Sequence, residues 1–501
     1  MKKHATLAAI ILALALGLRL LLAIQLPNED DDDGRYYDQI AQNVLDGHGY
    51  SGESEAPFVP TLVRVPGYPL FLAGTYKALG RNSHGAVRAL QAVADTITCL
   101  LVALLAGAWS PGEWQVERRR RAMIIAMALA AACPFTAIYV TTHLTESLAI
   151  LLSTAFALAA TVALRNGKVA MWCVAGLLGG AATMVRPDTA LFVGGAGLTL
   201  LLVGSATNRS LRSTIARALV LTFCFAAVLA PWTIRNARVF GVLQPVAPLY
   251  ANMPDEFAPR GYIKWLRTWV DDERYVSPFE DALDLGPIDV RALPQKAFDS
   301  PGERETVASL LDSYNHAPPE EPDDADEDSA GDTSGAIPDQ PDSTEPPQLV
   351  RMTPQIDAGF AELARERISR RPLKYYLALP CRRAVSLWFD THSQYYPFQG
   401  EIFPLYELDT DHHQQYWLSL FAIVTWLLTI SAAAGVWVMF RSRPSRRWVL
   451  LLLLLIIPRM AFLSAQEHPE ARYTVEFFPL VIAAGALSLA LVRRQSKERR
   501  G

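Results

Sequence analysis

The sequence predicts an all-α integral membrane protein with about ten transmembrane helices, and three observations carry that expectation. Hydrophobic residues make up 51% of the 501-residue chain, and mean hydropathy is +0.16 although 19% of residues are charged. The apolar residues gather into runs of about 17–25, the length a helix needs to cross a bilayer. Lys and Arg collect in every second connection between those runs, as expected where positive charge is retained on the cytoplasmic side.

The ten runs lie near 5–25, 86–108, 122–142, 146–164, 169–185, 188–204, 214–231, 416–440, 448–464 and 473–492. The first is long for a signal peptide and is interrupted by Arg19. No small-x-small site precedes the acids that follow, so it reads as an uncleaved anchor. With Lys2 and Lys3 cytoplasmic, the cytoplasmic connections read "VERRRRA", "RNGK", "NRSLR" and "RSRPSRR", and the tail reads "RRQSKERR". The opposite short connections, 142–146 and 465–472, hold Arg472 as their one Lys or Arg. Both termini are therefore expected in the cytoplasm of a cell, in its plasma or inner membrane.

Two long segments face outward. The first is 26–85; the second runs from 232 to 413. Within the second, 317–348 holds eleven Asp/Glu, seven Pro and no Lys or Arg. Such a stretch lacks the apolar surface that offsets ordering entropy and is expected to be disordered. The stretch "FAELARERISRRPLKYYLALPCRRAVSLWFD" has helical periodicity broken at Pro372 and is expected along the membrane interface. The chain thus reads as an N-terminal membrane module, 1–231, an extracytoplasmic segment, 232–413, and a C-terminal membrane module, 414–501.

Several chemistries find no support. The five cysteines show no CxxC or Cys/His spacing, so neither a zinc site nor a disulfide framework is expected. There is no GxGxxG, GKS/T or HExxH motif and no internal repeat. No nucleic-acid partner is expected.

Directly after the first run comes "PNEDDDDGRYYDQIAQNVLDGHGYS". Steps of four place Asp33, Tyr37 and Ala41 on one helical stripe, and Ile40, Val44 and Leu45 add an apolar side, so 34–46 is expected to be a short helix on the membrane surface. On spacing alone, the favoured reading of Asp33 is an N-cap with a solvated acidic run before it. Other charges recur at the same outer face. Arg64 stands before a Pro-Gly-Tyr-Pro turn, Glu146 lies in "HLTES", Arg186 in "VRPD" and Arg235 in "APWTIRN". Glu470, Arg472 and Tyr473 lie in "HPEARY". Each has an ordinary alternative: Arg235 and Arg472 as snorkelling side chains, Glu146 as a helix cap, Arg186 as a partner of Asp188. Arg459, inside the ninth run, is costly in lipid and marks a functional position by default.

Five motifs, "DGRYYDQIAQNVLDGHGYS", "RVPGYPLF", "HLTES", "APWTIRNARVFG" and "HPEARYTVEFFP", resemble in order the polytopic GT-C glycosyltransferases of the protein O-mannosyltransferase and aminoarabinose transferase group. The resemblance covers 1 to about 250 and 355 to 490 and implies a GT-C bundle with juxtamembrane helices in the first outer loop. It implies transfer of a sugar from a polyprenyl phosphate, with inversion, to a glycan, lipid or protein acceptor outside the cytoplasm. The aspartate that this family carries in its first outer loop falls on Asp33, with Asp32 as the rival register. The implied assignments are Asp33 as general base and Glu146 as a second acid or acceptor-orienting group. Arg64, Arg235, Arg472 and Tyr473 would take the donor phosphate, and Tyr37, Glu470 and Arg186 would line the site. Some relatives need a divalent metal and others do not; the Asp30–Asp33 run offers oxygen ligands without a defined loop. A lipid-linked sugar flippase, a secondary transporter, a non-catalytic assembly protein and an O-antigen ligase or polymerase are the competing readings.

Overall fold

The computed structural model describes residues 2–28, 32–206, 210–254, 256–316, 351–398 and 412–492. The acidic stretch 317–348 and residues 29–31 lie outside them. Among the described residues the fold is helical, and extended pairing is confined to the isolated bridges Asn28–Thr142 and Ser51–Pro60. The chain forms two compact units: Met1–Glu256 with Leu387–Phe462 and Ala471–Gly501, and Phe257–Ser386 with Leu463–Glu470.

The first unit holds the membrane helices. The described residues contain eight helical stretches long and apolar enough to cross a membrane: His4–Gln25, His84–Trp109, Glu146–Asn166, Pro187–Gly204, Leu211–Phe240, Tyr416–Arg441, Arg443–Ser464 and Ala471–Leu489. A bent pair, Val116–Ala131 and Pro134–Val140, makes a ninth if counted as one span. The remaining expected span is the apolar helix Val169–Val185, only 17 residues long. Every expected run therefore has a helical counterpart, while the count of ten is not established.

The 53° bend has a local cause. Helix α5 (Val116–Ala131) cannot run on through Pro134, which lacks an N–H and crowds the preceding turn. The break releases carbonyls that lipid cannot satisfy. Arg19, in helix α1 (Lys2–Gln25), meets them: its guanidinium donates to Ala130 O at 3.1 Å and Ala131 O at 2.8 Å. The same side chain pairs at 2.5 Å with Asp95 of helix α4 (His84–Trp109), and both are buried. The charge that interrupts the first apolar run thus closes a helix end.

Small residues let helices approach closely, as is common where lipid removes the hydrophobic drive for association. Helix α15 (His412–Arg441) packs on helix α17 (Phe478–Leu489) through Gly435, where an added Cβ would overlap the Ala484 carbonyl. Gly485 answers from the other side, against Ser431.

The second unit is built on helices α11 (Arg260–Leu266), α12 (Pro301–Asn315) and α13 (Pro354–Arg370) around Tyr262, Trp265, Trp269, Phe279 and Phe360. Ser300 caps α12, accepting from Glu303 N at 3.2 Å. Arg367 is buried, paired with Glu303 at 2.5 Å, and donates to Ala297 O at 2.5 Å. Arg383 donates to Val270 O, Arg267 O and Ser464 O, and Arg267 pairs with Glu467, so the segment 463–470 is tied into this unit. The expected break near Pro372 falls between the end of α13 at Arg370 and a π-helical turn, Lys374–Ala378.

Candidate active site

The site is assembled in the first unit, beginning with helix α2 (Asp32–Asp46). Its inner stripe continues the four-residue spacing. Ala41 is buried against Tyr68, Leu72 and Tyr76, and Tyr37 packs edge-on to Tyr68 at 5.3 Å between centroids. These contacts lock the rotation of the helix and aim its first turn. Asp33, one turn before Tyr37, follows the stripe inward, while Asp32 turns out, its side chain 94% exposed and paired with Arg35. Both acids sit where the helix dipole favours negative charge.

Two arginines from distant segments meet Asp33. Arg64 Nη2 donates to Asp33 Oδ1 at 2.6 Å, and Arg472 Nη2 donates to Oδ2 at 3.3 Å. Arg472 also donates to the Tyr395 hydroxyl at 3.2 Å. Glu146 opens helix α7 (Glu146–Asn166) and accepts from Arg186 at 2.9 Å. Arg186 stacks over Tyr473 at 5.0 Å. Asp33, Tyr37, Arg64, Glu146, Arg186, Arg472 and Tyr473 border one cavity of about 240 Å³. Among the described residues, three arginines and two carboxylates line it. Val63, Val65, Leu144 and Pro248 provide apolar wall. A second hollow of about 670 Å³ shares Val63, Arg64 and Ala251 with the first.

Burial pushes the Tyr37 phenol well above its ordinary value, so it stays a hydroxyl donor at neutral pH. Burial works against the Arg64 charge, but Asp33 and the nearby tyrosines outweigh it and hold the guanidinium protonated.

Two sequence candidates lie elsewhere. Arg235 does not border the cavity. It donates to Thr61 O at 2.7 Å and Tyr50 O at 3.4 Å and lies within 4.9 Å of the Trp232 and Phe240 rings. It therefore clamps the base of the loop that delivers Arg64, a loop also fixed by Tyr50 Oη donating to Arg64 O at 3.1 Å. Glu470 lies in the second unit, where it is buried and 3.4 Å from His468 Nε2.

Behind the cavity is a buried ion network that sequence reasoning left incomplete. Arg459 is fully buried and pairs with Asp188 at 2.6 Å and Glu476 at 2.9 Å. Asp188 and Glu476 each stand 3.5 Å from Arg186. Arg186 thus faces three carboxylates, and the intramembrane Arg459 acts through that network rather than in the cavity. Glu476 was missed; its signal is a lone acid inside an apolar run, "TVEFF", the same signal that singles out Arg459.

Among the described residues no group of three or more His, Cys, Asp and Glu is arranged to hold a metal ion. Asp30 and Asp31, part of the acidic run considered as a cation ligand, lie outside those residues.

Residues 63–234 match the family model described as dolichyl-phosphate-mannose-protein mannosyltransferase. No curated protein matches. Among solved structures, the chain is similar to the archaeal oligosaccharyltransferase AglB from Archaeoglobus fulgidus, in complex with an inhibitory peptide and a dolichol-phosphate. The TM-score is 0.50 at 12% identity, over 97% of this chain and 50% of that one. The apo form of the Archaeoglobus fulgidus oligosaccharyltransferase gives 0.48 at 14% identity, over 97% and 50%. ArnT from Cupriavidus metallidurans bound to undecaprenyl phosphate gives 0.38 at 10% identity, over 96% and 77%. The chain spans about half the length of the oligosaccharyltransferases it matches. The GT-C likeness expected from the motifs is borne out, in sequence over 63–234 and in fold through AglB.

Proposed function

We propose that this multi-pass membrane protein of the GT-C glycosyltransferase type moves a sugar from a polyprenyl-phosphate donor to an acceptor outside the cytoplasm. The observation that carries the reading is the arrangement at Asp33. One carboxylate is held by arginines 31 and 439 residues away in sequence, on the wall of a cavity that Glu146 and Tyr473 share. The AglB structure holds a dolichol-phosphate, which supports a lipid-phosphate donor here.

In this reading the acceptor hydroxyl or amine gives its proton to Asp33 as its lone pair attacks the anomeric carbon. The bond from that carbon to the phosphate oxygen breaks with its electron pair, leaving a polyprenyl phosphate. A single displacement inverts the anomeric centre. Arg64 and Arg472 take the phosphate charge, with bidentate geometry available to each guanidinium. A phosphate entering between them draws their donors away from Asp33, and a carboxylate relieved of paired cations is the stronger base. Donor binding and base activation are then one event. Glu146, held by Arg186, orients the acceptor, and the Tyr37 and Tyr473 hydroxyls serve as further donors. Arg235 acts by holding the Arg64 loop in place. The positive-inside pattern puts both chain termini in the cytoplasm and this cavity on the opposite face.

The test is transfer from a panel of radiolabelled polyprenyl-phosphate sugars in membranes carrying wild type or Asp33→Asn. The amide keeps the side-chain shape and removes the base, so transfer should fall by roughly 10²–10⁴-fold. Near wild-type transfer by a folded Asp33→Asn protein would remove Asp33 from the mechanism. Sugar movement across the bilayer without a glycosylated product would replace the enzyme with a carrier.

A further inference from the structure

We propose that the stretch from Arg370 to Val385 in the second unit is a binding surface for the head groups of anionic phospholipids. After the break that ends α13, this stretch turns Leu379 inward and leaves its other large apolar side chains outward. Leu373 is 77% exposed, Tyr376 69%, Leu377 60% and Val385 58%. A single exposed leucine is ordinary, but four such side chains between 373 and 385 form a patch. Basic residues are interleaved with them: Arg370, Arg371, Lys374 and Arg382.

The charges around the patch do not balance locally. Asp299, itself nearly buried, is shared by Arg367 at 3.5 Å, Lys374 at 3.8 Å and Arg371 at 3.9 Å. Glu303 is shared by Arg367 and by Arg370 at 3.3 Å. Asp271 is shared by Lys296 and by Arg382 at 3.5 Å. Among the described residues, even with Glu366 at 4.0 Å from Arg370, cations outnumber carboxylates, and the surplus sits on side chains such as Arg371 and Arg382, whose own exposure is 61% and 69%. Apolar side chains with long cationic ones beside them match a phosphodiester surface with acyl chains beneath it. The chain's own acidic stretch, 317–348, complements the charge but not the patch. Apart from four alanines its one aliphatic residue is Ile337, so it has little to cover Leu373 and Leu377.

Cys381 provides a native probe, because it is exposed within the patch while Cys99, Cys133 and Cys224 are buried and Cys173 is half-buried. Full-length protein carrying an environment-sensitive fluorophore on Cys381 is reconstituted into phosphatidylcholine bilayers with or without phosphatidylglycerol. The nitroxide is placed on the head group of one lipid or the other. Quenching should favour nitroxide on phosphatidylglycerol. Each of Arg371→Gln, Lys374→Gln and Arg382→Gln should lower that preference by roughly two- to fivefold, the value of one cation near an anionic surface. If Arg371→Gln or Lys374→Gln melts early, Arg382→Gln alone serves, with its melting curve as the control. Equal quenching by both lipids, unchanged preference in a folded variant, or displacement by soluble glycerol phosphate or a 317–348 peptide would each overturn the proposal. None of these readouts measures sugar transfer, so failure here leaves the glycosyltransferase reading standing, and the converse holds.

Discussion

Arg235 and Arg472 look alike in sequence, each a lone arginine at the outer end of an apolar run, yet the structure separates them. Arg472 reaches Asp33, whereas Arg235 spends its donors on the carbonyls of Tyr50 and Thr61. The two should fail differently. Arg472→Ala, or Arg64→Ala, should raise the KM for the lipid-phosphate donor. Arg235→Ala should lower kcat and speed amide exchange across 50–64 with the donor KM nearly unchanged, because it loosens the loop rather than removing a phosphate ligand. Arg235→Lys should restore little, since one ammonium cannot hold both carbonyls among the Tyr50, Trp232 and Phe240 rings. A donor KM that rises equally in Arg235→Ala and Arg472→Ala would return Arg235 to the cavity. The buried network gives a second test at this scale. Arg459→Met leaves Asp188 and Glu476 without that charge in a dry interior and should cost about 3–5 kcal/mol, read as loss of melting temperature in detergent.

At the scale of elements, what was legible is what repeats locally. Helix α2 could be placed to within two residues because Asp33, Tyr37 and Ala41 mark a stripe that needs only the helical period. The apolar runs could be placed because the bilayer sets their length. What escaped depends on distant partners. The bend at 132–133 was hidden inside a continuous apolar run, since Ala, Cys and Pro carry no charge to mark the break. Its compensating group, Arg19, is more than a hundred residues away and read only as an interruption. Glu476 escaped for the same reason: its meaning requires 188, 459 and 186 to be neighbours. The seam between α15 and α17 likewise needs the fold, because nothing near Gly435 in sequence says that Ala484 will face it. Gly435→Ala should push those helices apart and lower stability by about 1–3 kcal/mol, the usual cost of overpacking, while Gly74→Ala, where an added Cβ meets open space, should not. Thermal unfolding of the two variants side by side decides whether the seam is as tight as described.

At the scale of the whole molecule, the membrane unit joins chain segments from both ends of the sequence, and its stability should therefore report on the site. His392 stands at one such junction. Its Nε2 lies 3.2 Å from the Thr474 hydroxyl, in the turn that carries Arg472 and Tyr473, and its ring packs 5.3 Å from Phe135 and 5.2 Å from Phe478. Burial pulls the imidazole down to about 4, so it is neutral when folded. Unfolded, it returns to about 6.5 and binds a proton at higher pH than the native state does. Between about pH 6.5 and 4 the unfolded chain therefore holds more protons, and stability falls as pH falls, by up to roughly 3 kcal/mol for this group. Above that window the contribution is fully present and flat. Replacing His392 with Phe keeps an aromatic ring among Phe135 and Phe478 and removes the titration. The variant should lose this share of the acid-induced drop in melting temperature between those limits, although it also gives up the contact with Thr474. An unaltered acid slope in His392→Phe would mean that the ring is hydrated, and that the turn bearing Arg472 is not buried against it in the way the packing requires.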